Sequence, residues 1–370
     1  MTQNAPDPAT LSDAEKTARI KAEIIAAGDE MRQRHPILQY QNAIGATIMA
    51  VSVAGMLGAA VAYAYDAIAW WLCVPLVAFF ASLIHELEHD LIHYQYFRKQ
   101  PKVNSFMLLL GWLARPSTIN PLVRRKLHFH HHKHSGTESD LEERGITNGE
   151  PWGLRRLLMT GDNMLAIFLR PVSTYKMVRA YIRSQNPADD AEIHRMKLEQ
   201  RRSYLPLGNL YYLAWHGWLG FHAYALTAGA LGYTVAPTGF WGGVVETLNF
   251  LAVVWMLPSF LRTFCLHFIS SNMHYYGDVE DGNIVQQCQV LNRWWLAPFQ
   301  LFCFNFGSTH AIHHFVVGQP FYLRQMVAPR AHKVMREMGV RFNDLGTFRR
   351  ANRWSAPGEP APAMQAGSAA

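Results

Sequence analysis

Residues 67–93 read AIAWWLCVPLVAFFASLIHELEHDLIH. The stretch from Ala67 to Ile84 contains no Asp, Glu, Lys or Arg; the nine residues that follow carry His85, His89 and His93, with Glu86, Glu88 and Asp90 between them. An uncharged run of this length suits a helix that crosses a bilayer. Residues four apart lie on one helix face, so the three imidazoles follow one another, drifting slowly around it. Neutral imidazole is the commonest protein ligand for transition metals. The stretch therefore predicts a membrane helix that delivers metal ligands at its end.

Three further runs complete the pattern. Ala43 to Tyr65, Leu210 to Thr238 and Phe250 to Leu261 are free of charge, with Glu246 as the sole interruption before the last. Together they predict four spans, at about 43–65, 67–88, 210–233 and 243–266. Gly55, Gly58, Pro75 and Pro258 within them are tolerated in membrane helices. The short links at Asp66 and at 232–242 hold no Lys or Arg, whereas 98–202 and 324–353 are rich in both. By the positive-inside tendency, both termini and both long loops are cytoplasmic.

Two more histidine clusters lie on that predicted cytoplasmic side: His128-Phe-His130-His131-His132-Lys-His134 and His310-Ala-Ile-His313-His314. Each contains HxxHH. With 18 histidines in 370 residues, chance yields about 0.04 such patterns per chain of this composition. The run 128–134 makes its own match easier; the third cluster has no such help. Eight or so imidazoles exceed what one tetrahedral ion takes and suit a pair of metals.

The remaining composition is consistent with this. Half of the residues are hydrophobic and 12% aromatic, while a mean hydropathy of −0.04 conceals the segregation of apolar runs. A net charge of +7 and a pI near 9.2 suit contact with anionic lipid or an acidic redox partner. Cys73, Cys265, Cys288 and Cys303 form no CxxC pair, which argues against an iron–sulfur or rubredoxin module. No cleavable signal peptide is expected, since the segment up to Pro36 lacks an apolar core. No internal repeat and no basic–aromatic pattern typical of nucleic-acid binding is present. The expected domains are 1–40, an interfacial segment; 41–345, the membrane domain; and 346–370, a disordered tail, Ala/Pro/Gly-rich from Ser355 on.

Within that frame, Ser12 to Glu15 has the form of a capping box opening an amphipathic helix to about Arg34. Asn104 to Ala114 is too short to span and is expected to be re-entrant or interfacial. Gly161 to Arg183 reads as a helix in the headgroup layer, and Trp294 to Phe306 as another such element. His216 and His222, inside the third span without an evident partner, are expected to be structural.

The first cluster also spells HExxH (His85, Glu86, His89), the zinc-peptidase pattern, but that reading needs a further ligand and leaves both HxxHH clusters unexplained. The overlapping HDxxH pair, His89 and His93, is preferred.

On these residues the chain resembles the membrane fatty acid desaturase family. His89-Asp90-Leu91-Ile92-His93 followed by Phe97-Arg98 and Asn104, the second box 35 residues beyond His93, and His310–His314 followed by Pro320 and Tyr322 are similar to that family's boxes. The resemblance covers about 40–345 and implies an all-α, four-span transmembrane bundle with a cytoplasmic helical cap holding two iron ions. The implied ligands are His89, His93, His128, His131, His132, His310, His313 and His314, with His85 as the alternative in the first box. An isolated ligand follows the fourth span in that family; His274 is the candidate, His267 the alternative, and Asn272 a candidate holder of a metal-bound water. Glu86, Glu88, Asp90, Glu138, Asp140, Glu142, Asp278, Glu280 and Asp281 are candidates to orient ligating rings.

The implied chemistry is O₂-dependent attack on an unactivated C–H bond of a fatty acyl or hydrocarbon chain, with O₂ as co-substrate and electrons from an external donor such as a ferredoxin or rubredoxin. Desaturation is the first expectation. The His85-Glu86-Leu87 start and Tyr276-Gly277 also resemble alkane hydroxylases, although those have HxxxHH in the second box. Fatty acid decarboxylases giving terminal alkenes and carotenoid oxygenases use similar boxes. A membrane metal transporter is a different class, disfavoured because the clusters sit at one membrane face.

Overall fold

The computed structural model describes residues 8–356, and among them every extended element is helical, apart from the single bridges His274–Cys288 and Val290–Phe342. The first helix, α1 (Asp13–Arg34), opens with the expected capping box: Glu15 N–H donates to Ser12 Oγ at 3.3 Å, and Ser12 N–H to Glu15 Oε2 at 2.8 Å. Ile20 and Ile24 are fully buried in a cluster with Ala331 and Met335, so the helix is fastened to the body by its apolar face.

Helices α2 (Gln41–Ala64) and α3 (Trp70–Ile92) form an antiparallel hairpin turned at Asp66, whose φ is 55°. α4 (Pro101–Ala114) packs on α3 through Met107 and Leu108. α5 (Pro121–His134) then carries the second histidine cluster. A layer of shorter helices follows: α6 (Leu141–Ile146), α7 (Leu154–Gly161), α8 (Asn163–Leu169), α9 (Pro171–Ser184) and α10 (Asp190–Arg201). The helix expected over 161–183 is thus broken at Arg170. Pro171 lacks an N–H and fits the first position of a new helix, and buried Arg170 donates to Gly145 O at 2.6 Å.

α11 (Leu207–Ala230) is followed by α12 (Gly239–Leu251), which runs through one π turn (Ala252–Met256) into α13 (Leu257–Met273). The π turn lets Pro258 enter the first turn of α13 rather than interrupt its interior. The chain closes with α14 (Ile284–Gln287), α15 (Ala297–Leu301), α16 (Phe306–Phe315) and α17 (Phe321–Glu337). The element expected over 294–306 is two short turns and α15.

Among the described residues, three helices are long and apolar enough to cross a membrane: Gln41–Ala64, Trp70–Ile92 and the continuous Gly239–Met273. α11, the expected third span, has 24 residues but is not among them; Tyr211, Tyr212, His216 and His222 occupy positions that aliphatic residues fill elsewhere. Nor does the tail begin at residue 346. Residues 345–348 form a 3₁₀ turn, and Asn352, fully buried, accepts from Arg156 at 3.0 Å and donates to Ser271 O. An amide with several partners orders a stretch that composition alone marks as loose. Residues 357–370 of the expected tail lie outside the described residues.

Candidate metal centre

The three clusters meet where α3, α5, α13 and α16 converge. α3 delivers His89 from its last turn and His93 as its C-cap residue. α16 starts from a sharp reversal in which Phe304 and Asn305 have φ of 47° and 58°. Gln300 secures that turn, donating to Leu291 O at 2.7 Å and accepting from Gly307 N–H at 3.1 Å. A Cβ at Gly307 would lie 2.6 Å from Gln300 Nε2 and 2.9 Å from the Leu291 carbonyl oxygen, so a side chain there would push this turn apart.

Two sets of four imidazoles result. His89, His93, His128 and His313 form one, and His131, His274, His310 and His314 the other; within each, one ring nitrogen per residue lies within 4.8 Å of the others. Helical spacing explains the division. His310 and His314, four apart, face the second set while His313 faces the first. In α5, His131 belongs to the second set. His128 belongs to the first, and His132 Nε2 lies 3.1 Å from His128 Nε2 and 3.0 Å from His313 Nε2. Each HxxHH box thus serves both sets.

The hydrogen bonds reveal what these rings are prepared for. His128 Nδ1 lies 2.7 Å from Glu142, His131 Nδ1 2.9 Å from Asp140, His274 Nδ1 2.9 Å from Ser270 O and 3.3 Å from Glu143, and His314 Nδ1 2.8 Å from Gln287 Oε1. Each partner is an acceptor, so each Nδ1 carries a proton, and in the neutral ring Nε2 presents a lone pair. Yet His274 Nε2 and His314 Nε2 face each other at 3.3 Å, and His131 Nε2 and both ring nitrogens of His89 have no hydrogen-bond partner. Converging buried lone pairs repel unless a cation lies among them. Oriented imidazoles of this kind fit a pair of transition-metal ions.

Protonation supports the same assignment. Burial and neighbouring rings hold His132, His310, His313 and His314 well below the usual histidine range, and push His93 to about 2. At physiological pH these rings are neutral, the form in which imidazole can ligate a metal. His131 is different: burial opposes its charge, but Asp140 raises it to about 9, so a metal there would displace a proton.

Among the other sequence candidates, His85 stands outside both sets; its Nδ1 lies 3.3 Å from Arg115 Nη1. His267 is also outside, with Nδ1 3.1 Å from Thr160 O. Asn272 is not directed at the histidines, since its amide is occupied by Trp152 Nε1 at 2.9 Å and Phe268 O at 2.6 Å. Glu86 and Asp90 bind Arg324 of α17 at 3.3 and 3.2 Å. That leaves Glu86 engaged in an ion pair rather than poised as the general base of an HExxH site. Glu88 pairs with Arg115 and Arg124. Glu138 lends its backbone carbonyl to Arg144, Asp278 accepts from the Trp354 and Ser355 N–H groups, Glu280 accepts from Asn283, and Asp281 lies 3.1 Å from His134. Of the nine acids, Asp140 and Glu142 back rings of the two sets through direct hydrogen bonds.

The sequence reading missed Glu143, Ser270 and Gln287. The Asp140-Leu-Glu-Glu143 run held a signal for the first, whereas nothing local marks Gln287. His216 and His222 do have partners, Asp162 and Asn249, each at 2.8 Å.

A family model described as fatty acid desaturase matches residues 65–346, about three quarters of the chain. No curated protein matches the sequence.

Proposed function

Because the chain belongs to the fatty acid desaturase family, we infer that it is an O₂-dependent di-iron oxidoreductase of lipid acyl chains and that its reaction is desaturation. The observation that carries this reading is the pair of four-histidine sets with their Nε2 lone pairs turned inward. His89, His93, His128, His132 and His313 would hold one iron, and His131, His274, His310 and His314 the other. Bound there, the irons would supply O₂ activation strong enough to oxidise an unactivated C–H bond.

The chain's own residues do the positioning. Glu142, Asp140, Glu143 and Gln287 fix ring tautomers and orientation, so that the ligands need little reorganisation. Burial of the histidines keeps water from the reacting chain. An acyl chain is the substrate class supported by family membership. An external protein, for which the Lys/Arg-rich face is the proposed docking surface, would supply the electrons.

The reading includes a four-span arrangement with both termini cytoplasmic. It counts α11 as the third of these spans because Leu210, Leu213, Tyr224 and Leu226 are 61%, 73%, 63% and 78% exposed, a surface suited to lipid. Residues 41–345 constitute the catalytic domain in this proposal. Expression in a host with a simple lipid complement, followed by metal analysis and mass spectrometry of lipids and volatiles, tests it. Two irons per chain and a new double bond are expected; one zinc, or no change in any lipid, would refute it.

A further inference from the structure

The two histidine sets differ in the charge that stands behind them. Beside the first set, Glu86, Glu88, Asp90 and Glu142 each have a guanidinium partner. Glu142, which accepts from His128 Nδ1, also accepts from Arg124 Nε at 3.2 Å. Arg124 reaches on to Glu88 at 3.1 Å, and Arg115 shares that carboxylate. Glu86 and Asp90 are joined to Arg324. His89 has no hydrogen-bond partner on either ring nitrogen, and His313 has none on Nδ1.

The second set has the opposite character. Asp140 accepts from His131 Nδ1 at 2.9 Å and from the N–H groups of Gly136 and Glu143 at 3.1 and 3.4 Å. Glu143 accepts from Ser270 Oγ at 3.0 Å and lies 3.3 Å from His274 Nδ1. Both carboxylates are buried, and among the described residues neither forms an ion pair with a Lys or Arg. A buried anion without a cation is costly. The rings of His131 and His274 pass that uncompensated charge on to whatever cation their Nε2 atoms hold. Behind His128, Arg124 cancels the equivalent charge.

We propose that the two metal sites are unequal in redox behaviour: the ion held by His131, His274, His310 and His314 gives up its electron first, and Arg124 keeps the other reduced longer by neutralising Glu142. The inference rests on the di-iron reading above and deepens it by ordering the two metals. A further neutral ring, His132, strengthens the first set in both oxidation states, whereas a fixed anion favours the higher charge specifically. At an effective dielectric near 20, a unit charge about 6 Å from an ion shifts its oxidation by on the order of a hundredfold. The N–H groups on Asp140 screen part of this, which leaves a difference of about tenfold or more between the sites. Arg124 acts through Glu142 and is therefore a positioning residue.

The test is Mössbauer spectroscopy of the full chain in lipid nanodiscs, loaded with isotopically enriched ferrous iron and oxidised stepwise without O₂ by tris(phenanthroline)cobalt(III). Each cobalt(III) takes one electron from one ferrous ion and becomes cobalt(II). The first oxidising equivalent should convert one iron environment, the one retained in His313→Ala and lost in His314→Ala. Arg124→Gln leaves the charge of Glu142 uncancelled and should reduce the preference between environments about tenfold, while Arg124→Lys preserves the order. A purely structural Arg124 would loosen iron in the first set and leave the order unchanged, and that result would overturn its assigned role. Asp140→Asn should narrow the preference from the other side, so the proposal stays open to refutation if Arg124→Gln fails to fold. Conversion of both environments together in the unaltered protein, or of the first set ahead of the second, would overturn it. Ordered oxidation without any lipid product would support the inequality and count against the proposed reaction; simultaneous oxidation in a chain that does desaturate lipid would do the reverse.

Discussion

His313 and His314 are neighbours in sequence, yet their ring planes stand at 89° with centroids 6.3 Å apart, and each belongs to a different four-histidine set. A helix separates adjacent side chains by about 100°. One short box on α16 can therefore serve two metals without any loop between the ligands. It follows that single ligand substitutions should affect the two metals unequally. His313→Ala and His314→Ala are each expected to bring iron per chain from two to about one or lower and to abolish activity, measured by metal analysis and product formation. If either variant kept full metal and turnover, the paired-site reading would fail.

Residues that only orient a ring should weaken metal binding without removing a ligand. Asp140→Asn and Glu143→Gln should each lower metal affinity about 10–100-fold, read by competition with a chelator. Glu280→Gln is the control, because Glu280 bonds Asn283 rather than a ring of either set. Equal losses in all three variants would point to general destabilisation instead.

How much of this was legible in the sequence depends on the range of the interaction. The boxes were legible because i, i+4 spacing is a local helical property; that spacing is the same for His85–His89 and His89–His93, and it was the HDxxH resemblance that favoured the second pair. Spacing could not place His85, whose position is determined by Arg115, thirty residues away. His274 was reachable only through resemblance, since a lone histidine has no local pattern; its partners Glu143 and His314 come from distant helices. The break at Pro171 was visible in sequence but masked by the apolar residues around it. Asn352 could not be foreseen, because its burial depends on Arg156 and Ser271.

Arg324 provides a test of packing rather than chemistry. It is buried on α17 and joins Glu86 and Asp90 of α3, while Asp90 also accepts from Phe321 N–H at 2.7 Å. Arg324→Met leaves two buried carboxylates without their cation, which costs about 3–5 kcal/mol. The expected result is a marked fall in thermal unfolding temperature in detergent. An unchanged temperature would mean that this ion pair does not hold α17 to α3.

Acid stability offers a last check, on the segment that closes over α13. Asp344 is partly buried, which opposes ionisation, but hydrogen bonds from Arg350 and Tyr275 and the charge of Arg341 hold its carboxyl below the usual range. A carboxylate with a lowered folded-state pKa favours the folded form above its unfolded value, near 3.9. That contribution fades as the pH falls through the folded-state value, where both states bind the proton. Asp344→Asn should therefore be less stable than the unaltered chain at neutral pH, with the difference narrowing on acidification. Comparing the two proteins at each pH cancels the carboxylates they share. A gap that stayed constant down to the acid limit would show that Asp344 contributes through shape and hydrogen bonding rather than charge.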